Sequence, residues 1–421
     1  MDSTEERMMT KNRKGLLSAL LVSLSILFFN NCSQSNSSGL SQVIPEVSIS
    51  ANAPGLTIVG NEANILSISV GCQYANEPCV TVIVCKPGTS TCVSIGNVLL
   101  DTGSYGLRLF SSTLSSLGLA QEKDASGSGL AECQSYADGS SDWGPLVRAD
   151  VILGGETASN IPIQSIDSSF GSAPSDCKDL DTDPLSSGFN GILGVGQLQY
   201  DCGTLCSAHA NNRTYFHCAA GSSSCNTSIA VPLSYQLKNP VAAFPVDNNG
   251  VILQLPAIPG VGAGTVTGWL VFGIGTQANN VPPTGVVTFP ASTSTGDFLT
   301  IFNSTTYPAF IDSGSNGLYF PTPSNLTVCA DLPGFFCPAN PPVLSATQTG
   351  ISGTPSQTIQ FAVQNADIAL SSSNSYNVFN NLAGPFTGEF DWGLPFFLGR
   401  TIYVGFESAG TPIGTGPFWA Y

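Results

Sequence analysis

The stretch Asp101-Thr102-Gly103-Ser104-Tyr105-Gly106-Leu107-Arg108-Leu109-Phe110 is repeated later in the chain as Asp312-Ser313-Gly314-Ser315-Asn316-Gly317-Leu318-Tyr319-Phe320-Pro321. The copies share Asp, Gly, Ser, Gly and Leu, and a hydroxyl residue follows each Asp. Apolar runs precede both copies, Val98-Leu99-Leu100 and Ala309-Phe310-Ile311. A carboxylate that ends a buried strand before a glycine turn is held rigidly, with hydroxyl and N–H donors beside it. The repeat therefore predicts two carboxylates that face each other.

A second repeated element accompanies the first. Ile192-Leu193-Gly194 follows Asp101 at nearly the distance at which Phe397-Leu398-Gly399 follows Asp312. An apolar-apolar-Gly segment suits a strand that passes close to another backbone, because glycine leaves no side chain in the way. Each half of the chain is therefore predicted to carry the same two-part unit.

These motifs resemble those of pepsin-like aspartic peptidases over roughly residues 60 to 408. The resemblance implies an all-β, bilobal fold, with two β-rich lobes, an interlobe cleft and a few short helices. The chain is also similar to an uncharacterised group of bacterial exported, often lipid-anchored proteins with this signature. Family membership of that kind brings no substrate with it.

The resemblance also implies roles for the repeated residues. Asp101 and Asp312 would be the catalytic pair, and no metal or organic cofactor would be required. The residues that would support the pair are Thr102 and Ser313 behind the turns, Gly103 and Gly314 within them, and Ser104 and Ser315 on the outer carboxylate oxygens. The alternative is that both Asp residues are ordinary strand-end turn formers.

The segment Tyr136-Ala137-Asp138-Gly139-Ser140-Ser141-Asp142-Trp143-Gly144 resembles the hairpin flap that closes over the cleft in that family. Tyr136 would then close over substrate as part of a mobile lid. An exposed turn with an aromatic side chain packed on the lobe is the alternative. One position departs from the family, which commonly has Trp where this chain has Arg108, and this leaves the resting geometry of the flap open.

Composition narrows the classes of partner. The chain has 421 residues, of which 10% are charged, with 45 Gly and 28 Pro, and this favours short strands and turns over helical bundles. Its net charge of −16 argues against nucleic acid and against anionic membrane surfaces. We expect a monomer whose partner is a polypeptide substrate or ligand.

The amino terminus has the pattern of a targeting segment. Lys11, Arg13 and Lys14 precede an apolar run over residues 15–29, which is typical of a signal peptide, predicted here as residues 1–31. Cys32 follows, and this order resembles a bacterial lipoprotein signal with Cys32 as the lipidation site. A polar tether over residues 32–55 would then link a lipid anchor in the cell envelope to the domain. Cleavage without lipidation, with secretion, and an uncleaved anchor are the alternatives.

The cysteine count agrees with export. Thirteen Cys is odd, and setting Cys32 aside leaves twelve, enough for six disulfides in an oxidising compartment. Spacing alone does not decide the connectivity, and the first candidates are the close pairs Cys85 with Cys92, Cys218 with Cys225, and Cys329 with Cys337. The run Cys202, Cys206, His209, His217 and Cys218 also permits a zinc site, as an alternative.

We place the N-terminal lobe at residues 56–245 and the C-terminal lobe at 246–421. Pro240 to Phe244 is predicted as a strand that crosses between them, before a tight turn at Asp247-Asn248-Asn249-Gly250.

Two functions fit these observations. The first is an exported, lipid-anchored aspartic endopeptidase that hydrolyses peptide bonds with two Asp residues and an activated water. The alternative is a catalytically silent surface lipoprotein of the same fold that binds a peptide or another extracellular ligand. A Ser-His-Asp or Cys-His triad fits poorly, because the chain has only two His residues.

Overall fold

The computed structural model of the chain describes residues 45, 55–218, 224–371 and 374–421. The predicted signal peptide (1–31), the lipidation site Cys32 and the predicted tether (32–55), apart from Pro45 and Gly55, lie outside the described residues. Within the described ranges, no helix is both long enough and apolar enough to cross a membrane.

Strands make up most of the regular structure. In chain order they are β1 (Ile65–Val70), β2 (Pro78–Cys85), β3 (Cys92–Asp101), β4 (Tyr105–Phe110), β5 (Gly129–Ser135), β6 (Ser141–Leu153), β7 (Glu156–Ile166), β8 (Gly191–Val195), β9 (Tyr215–Cys218), β10 (Thr227–Ser228), β11 (Gly250–Gln254), β12 (Val266–Phe272), β13 (Thr288–Pro290), β14 (Phe298–Phe302), β15 (Thr305–Ile311), β16 (Leu318–Phe320), β17 (Val343–Thr349), β18 (Ser356–Ala362), β19 (Ala383–Pro385), β20 (Phe390–Trp392), β21 (Thr401–Gly405), β22 (Gly410–Thr411), β23 (Gly414–Thr415) and β24 (Phe418–Ala420). The α-helices are short: α1 (Ser111–Leu114), α2 (Pro184–Ser187), α3 (Gly203–Ala208) and α4 (Ala366–Ala369). Single 3-10 turns cover Ser115–Leu117, Leu233–Tyr235, Val241–Ala243, Ala278–Asn280 and Leu394–Phe396. The predicted mostly-β composition with a few short helices is confirmed.

Two large sheets carry the fold. The first has the order β10-β9-β5-β6-β7-β4-β8-β3-β2-β1-β12-β11-β21-β24-β13, and the second the order β18-β17-β14-β15-β20-β16-β19. Strand β1 pairs antiparallel with β12, so the first sheet joins strands from both halves of the chain. The predicted boundary at residue 246 lies within the chain segment that this sheet spans, and the division into two lobes stays a prediction.

The alternation of side chains explains where the core lies. In β2 Val80, Val82 and Val84 are buried, whereas Thr81 between them is exposed, as expected for a strand with one face on the core. A single hydrophobic cluster contains residues of both sheets, including Leu100 beside Asp101 and Trp392 in β20. The strands that lead to the two repeated turns are therefore packed into one common core.

The predicted crossing strand at Pro240 to Phe244 is wrong, because this segment forms the 3-10 turn Val241–Ala243. The amide side chain of Asn239 accepts a hydrogen bond from the Val241 N–H at 3.0 Å, which favours a turn over an extended chain.

Six disulfides pair the twelve cysteines of the described residues, which confirms the predicted number. The pairs are Cys72–Cys79, Cys85–Cys92, Cys133–Cys177, Cys202–Cys206, Cys218–Cys225 and Cys329–Cys337. They indicate an oxidising, extracytoplasmic compartment. The zinc alternative is wrong, since Cys202, Cys206 and Cys218 are all in disulfides and offer no thiolate.

Candidate active site

The two repeated Asp residues lie at equivalent points of their sheets. Asp101 is the last residue of β3, which runs parallel to β8. Asp312 directly follows β15, which runs parallel to β20. Each carboxyl group therefore lies where a buried strand ends and its turn begins.

The hydroxyl residues Thr102 and Ser313 link the two turns through four hydrogen bonds. The Thr102 hydroxyl donates to the Ile311 carbonyl at 2.8 Å and accepts from the Ser313 N–H at 2.9 Å. Reciprocally, the Ser313 hydroxyl donates to the Leu100 carbonyl at 2.7 Å and accepts from the Thr102 N–H at 3.1 Å. Both side chains are buried, so these bonds hold one turn against the other with little competition from water.

Glycine is required in each turn because the opposite carboxyl group occupies the space beside it. A Cβ atom on Gly103 would lie 2.7 Å from Cγ of Asp312, and one on Gly314 would lie 2.8 Å from Oδ1 of Asp101. The glycine N–H groups instead donate to the Asp of their own turn, at 2.7 Å and 2.8 Å. Each turn thus reaches the carboxyl group of the other, and Oδ1 of Asp101 and Oδ1 of Asp312 lie 2.8 Å and 3.2 Å from the place of a Cβ on Gly314.

The surroundings of the two carboxyl groups differ. Asp101 is only 7% exposed, whereas Asp312 is half-buried. The Ser315 hydroxyl donates to Oδ2 of Asp312 at 2.9 Å. The equivalent hydroxyl of Ser104 is buried and has no hydrogen-bond partner among the described residues. Its proximity nevertheless lowers the pKa of Asp101. Burial, and next the negative charge of Asp312, raise the pKa of Asp101 well above its ordinary value. Asp101 is therefore the carboxyl group that favours the protonated state.

Gly194 and Gly393 fill the place beneath the two turns. Gly194 pairs with Asp101 and with Gly106, and a Cβ on it would lie 2.5 Å from the Tyr105 nitrogen. In the second half the prediction of Phe397-Leu398-Gly399 is wrong. Strand β20 takes that place, with Trp392 opposite Ile311, and a Cβ on Gly393 would lie 2.0 Å from the Gly317 carbonyl oxygen.

The predicted flap is a hairpin of β5 and β6 with Tyr136 in its connection. The Tyr136 hydroxyl donates to Oδ2 of Asp142 at 2.6 Å. Burial, and next the nearby Asp181, raise the pKa of Asp142 to about 8. At the tip, Ala137 packs against the cluster around Tyr319 and Phe379, so the hairpin reaches the second half of the chain. The role of Tyr136 toward a substrate stays a prediction.

Arg108 belongs to a buried charged network that the sequence did not predict. Its side chain is fully buried and contacts Oε1 of Glu132 at 2.6 Å, Oδ2 of Asp201 at 3.2 Å and the Tyr105 carbonyl at 2.8 Å. Asp201 also accepts from the Tyr215 hydroxyl at 2.6 Å. Burial, and next the Glu132 charge, raise the pKa of Asp201, because two carboxyl groups lie close together in the interior. Arg108 thereby joins the strand after Asp101 to the flap strand β5.

Sequence reasoning also missed the loop between β1 and β2, although the close spacing of Cys72 and Cys79 was a signal for it. Within the loop the Asn76 side chain donates to the carbonyls of Asn316, at 2.7 Å, and Phe379, at 2.9 Å, and accepts from the Phe379 N–H at 2.7 Å. Tyr74 is half-buried, and burial followed by the charges of Glu77 and Asp101 raises its pKa. The loop therefore contacts the turn that follows Asp312 and bridges to the second half.

The described residues contain one group of potential metal ligands, Cys329, Cys337 and Asp367. Both sulfur atoms of this group are in one disulfide, which removes the thiolates that a metal would need.

Comparison with known proteins gives a family but no activity. A family model described as "Protein of unknown function (DUF3443)" matches residues 60–421. Among solved structures, an aspartic proteinase from Irpex lacteus has 17% sequence identity and a TM-score of 0.44, over 85% of this chain and 96% of that chain. No curated protein matches the chain.

Proposed function

We propose that this chain, which belongs to the family described as "Protein of unknown function (DUF3443)", is an exported, lipid-anchored aspartic endopeptidase of the bilobal pepsin-like type. The observation that carries the proposal is the carboxyl pair. The carboxyl groups of Asp101 and Asp312 both lie beside Gly314, and Thr102 and Ser313 hold the two turns together by reciprocal hydrogen bonds. Two strand-end turn formers with a purely structural role would have no reason to bring their charges together.

The two carboxyl groups suit the hydrolysis of an amide bond. With one proton on the pair, ionised Asp312 accepts a proton from a water molecule, whose oxygen attacks the peptide carbonyl carbon. Protonated Asp101 donates its hydrogen to the oxygen on which negative charge develops. As the tetrahedral intermediate collapses, the C–N bond breaks, the leaving nitrogen takes the proton that Asp312 received from water, and Asp101 regains a proton from a hydroxyl group of the intermediate. Ser315 holds Asp312 in place during these steps.

The decisive experiment compares wild type with Asp312→Asn on an unfolded protein substrate between about pH 3 and 7. We expect kcat to fall on the order of 10³-fold, since the general base is lost while shape and hydrogen bonding are kept. Activity of the wild type should fall as the pH rises through the raised pKa of Asp101.

Asp367→Asn is the matched control, because Asp367 is exposed on α4 and should leave turnover unchanged. Cleavage that persists in Asp312→Asn would assign the activity to another site. Absence of cleavage in both proteins, with both folded, would contradict the peptidase proposal.

A surface protein that binds a peptide without cleaving it is the second candidate. The observation that favours it is the contact of both Ala75 and Ala137 with the cluster around Tyr319, which joins two segments of the first half to the second half. If the chain has this function, Asp312→Asn should bind the peptide as tightly as the wild type does, and the wild type should not cleave it.

A further inference from the structure

A cavity of about 250 Å³ lies behind the turn that carries Asp312. Buried apolar side chains form its floor, including Leu318, Phe361, Trp392 and Phe396. Its rim includes exposed Ala257 and is therefore open to solvent. The volume is below the 300–1,000 Å³ of sites for drug-sized ligands, so an occupant would be small.

Arg400 lines this cavity and is only 7% exposed. Its Nη1 donates to the Phe396 carbonyl at 2.7 Å, and its guanidinium lies 4.3 Å from the centre of the Phe396 ring. In the part of the chain that the structure describes, Arg400 has no ion pair, and its Nε has no hydrogen-bond partner. Burial lowers its pKa to about 10, which still leaves the group protonated at neutral pH.

A buried cation without a counter-charge is unfavourable, because removal from water costs more than one carbonyl and one ring contact return. An anion at the guanidinium would offset this cost. A carboxylate matches the fork of N–H donors, including the free Nε–H. The buried Oδ1 of Asn381, which also lines the cavity and has no partner among the described residues, offers an acceptor for a donor on the same ligand.

We propose that the cavity is a binding site for a small carboxylate on an apolar body, with the carboxylate on Arg400 and the body against Trp392 and Phe361. Two sources share this chemistry, the free carboxyl end of an apolar peptide and a medium-chain fatty acid. The amide N–H of a peptide end would also satisfy Asn381.

Occupancy of the cavity bears directly on the Asp312 turn. Trp392 pairs with Ile311 on one side and with Leu318 on the other, and its carbonyl accepts the Asp312 N–H at 3.1 Å. A ligand packed on Trp392 and Leu318 therefore contacts both strands that flank the turn. This binding site stands independently of whether the chain is a peptidase.

The test is a calorimetric titration of the full chain with N-acetyl-L-leucine and with octanoate, and with N-acetyl-L-leucinamide and 1-octanol as their neutral counterparts. We expect saturable binding of at least one acid, about tenfold or more tighter than its neutral counterpart, because the bond to Arg400 is charge-assisted. The tighter acid identifies the source. Equal affinity for acid and neutral compound, or no saturable binding of either acid, would overturn the proposal.

Arg400→Met should weaken binding about tenfold or more, whereas Arg213→Met, at an exposed ion pair, should leave it unchanged. Ala257→Trp adds bulk at the rim of the cavity and leaves Arg400 itself unchanged, so it should also weaken binding. This variant tests the proposal even if Arg400→Met does not fold. Wild-type affinity in folded Arg400→Met, or in Ala257→Trp, would overturn the proposal.

Discussion

At Asp101 and Asp312 one motif lies in two different surroundings. Asp101 is nearly enclosed and lacks a well-formed hydrogen bond from Ser104, whereas half-buried Asp312 accepts one from Ser315. A hydrogen bond to the ionised form lowers a carboxyl pKa and burial raises it. The surroundings therefore favour the protonated form of Asp101, although the two turns are nearly identical in sequence.

Replacement of Arg108 should lower the stability of the folded chain strongly. Arg108→Met leaves Glu132 and Asp201 buried without their counter-charge, and we expect a loss of about 3–5 kcal/mol in the free energy of unfolding. Arg213→Met, which breaks an exposed ion pair, should change it by less than about 1 kcal/mol. Urea denaturation of both variants measures the difference. Equal stability of the two variants would show that the network carries no net energy.

At the scale of elements, the flap hairpin and the β1–β2 loop approach the second half from the same side. Ala137 at the flap tip and Ala75 in the loop pack on one cluster around Tyr319. The disulfide Cys72–Cys79 closes the loop, and Asn76 connects it to the segment just after Asp312. Two elements of the first half therefore contact the second half near the turn that carries Asp312.

Asn76→Ala tests the loop contact. It leaves the buried carbonyl of Asn316 and both backbone groups of Phe379 without their side-chain partner, so we expect about 1–3 kcal/mol lower stability. Hydrogen exchange of the Phe379 amide should also become faster than in wild type. Asn248→Ala removes a single half-buried bond to Phe244 and is the control. Unchanged exchange at Phe379 would contradict the role given to Asn76.

For the whole molecule, buried carboxyl groups should make stability depend on pH. The pKa of Asp142 is about 8 in the folded chain, against about 4 for an unfolded Asp, so the folded state binds the extra proton between these values. The stability that Asp142 contributes is therefore expected to be full below about pH 4 and to be lost as the pH rises through about 8. Asp142→Asn should flatten this fall, as measured by denaturant unfolding at several pH values.

A competing origin of the same trend is repulsion within a chain of net charge −16. Added salt screens exposed charges but has little effect on buried ones. A fall in stability that disappears at 0.5 M salt, or one that persists in full in Asp142→Asn, would contradict the assignment to Asp142.

The sequence by itself determined the features that depend on local chemistry. The repeated turns after Leu100 and Ile311 could be predicted because glycine and hydroxyl residues at fixed offsets suit a turn that holds a carboxyl group rigidly. Closely spaced cysteines identified Cys85–Cys92, Cys218–Cys225 and Cys329–Cys337, since short loops leave few other partners. The hairpin at Tyr136 was predicted from its resemblance to the pepsin-like flap, and β5 and β6 form that hairpin.

Only the tertiary structure decided which distant segments meet. Gly393 rather than Gly399 lies beneath the second turn, because strand pairing and not the apolar-apolar-Gly pattern sets that contact. The partners of Arg108 lie 24 and 93 residues away, and no local pattern encodes them. Arg400 looks like any arginine in the sequence. Its burial in an apolar cavity without a counter-charge arises from packing between distant strands, because burial depends on the whole fold and not on neighbours in the chain.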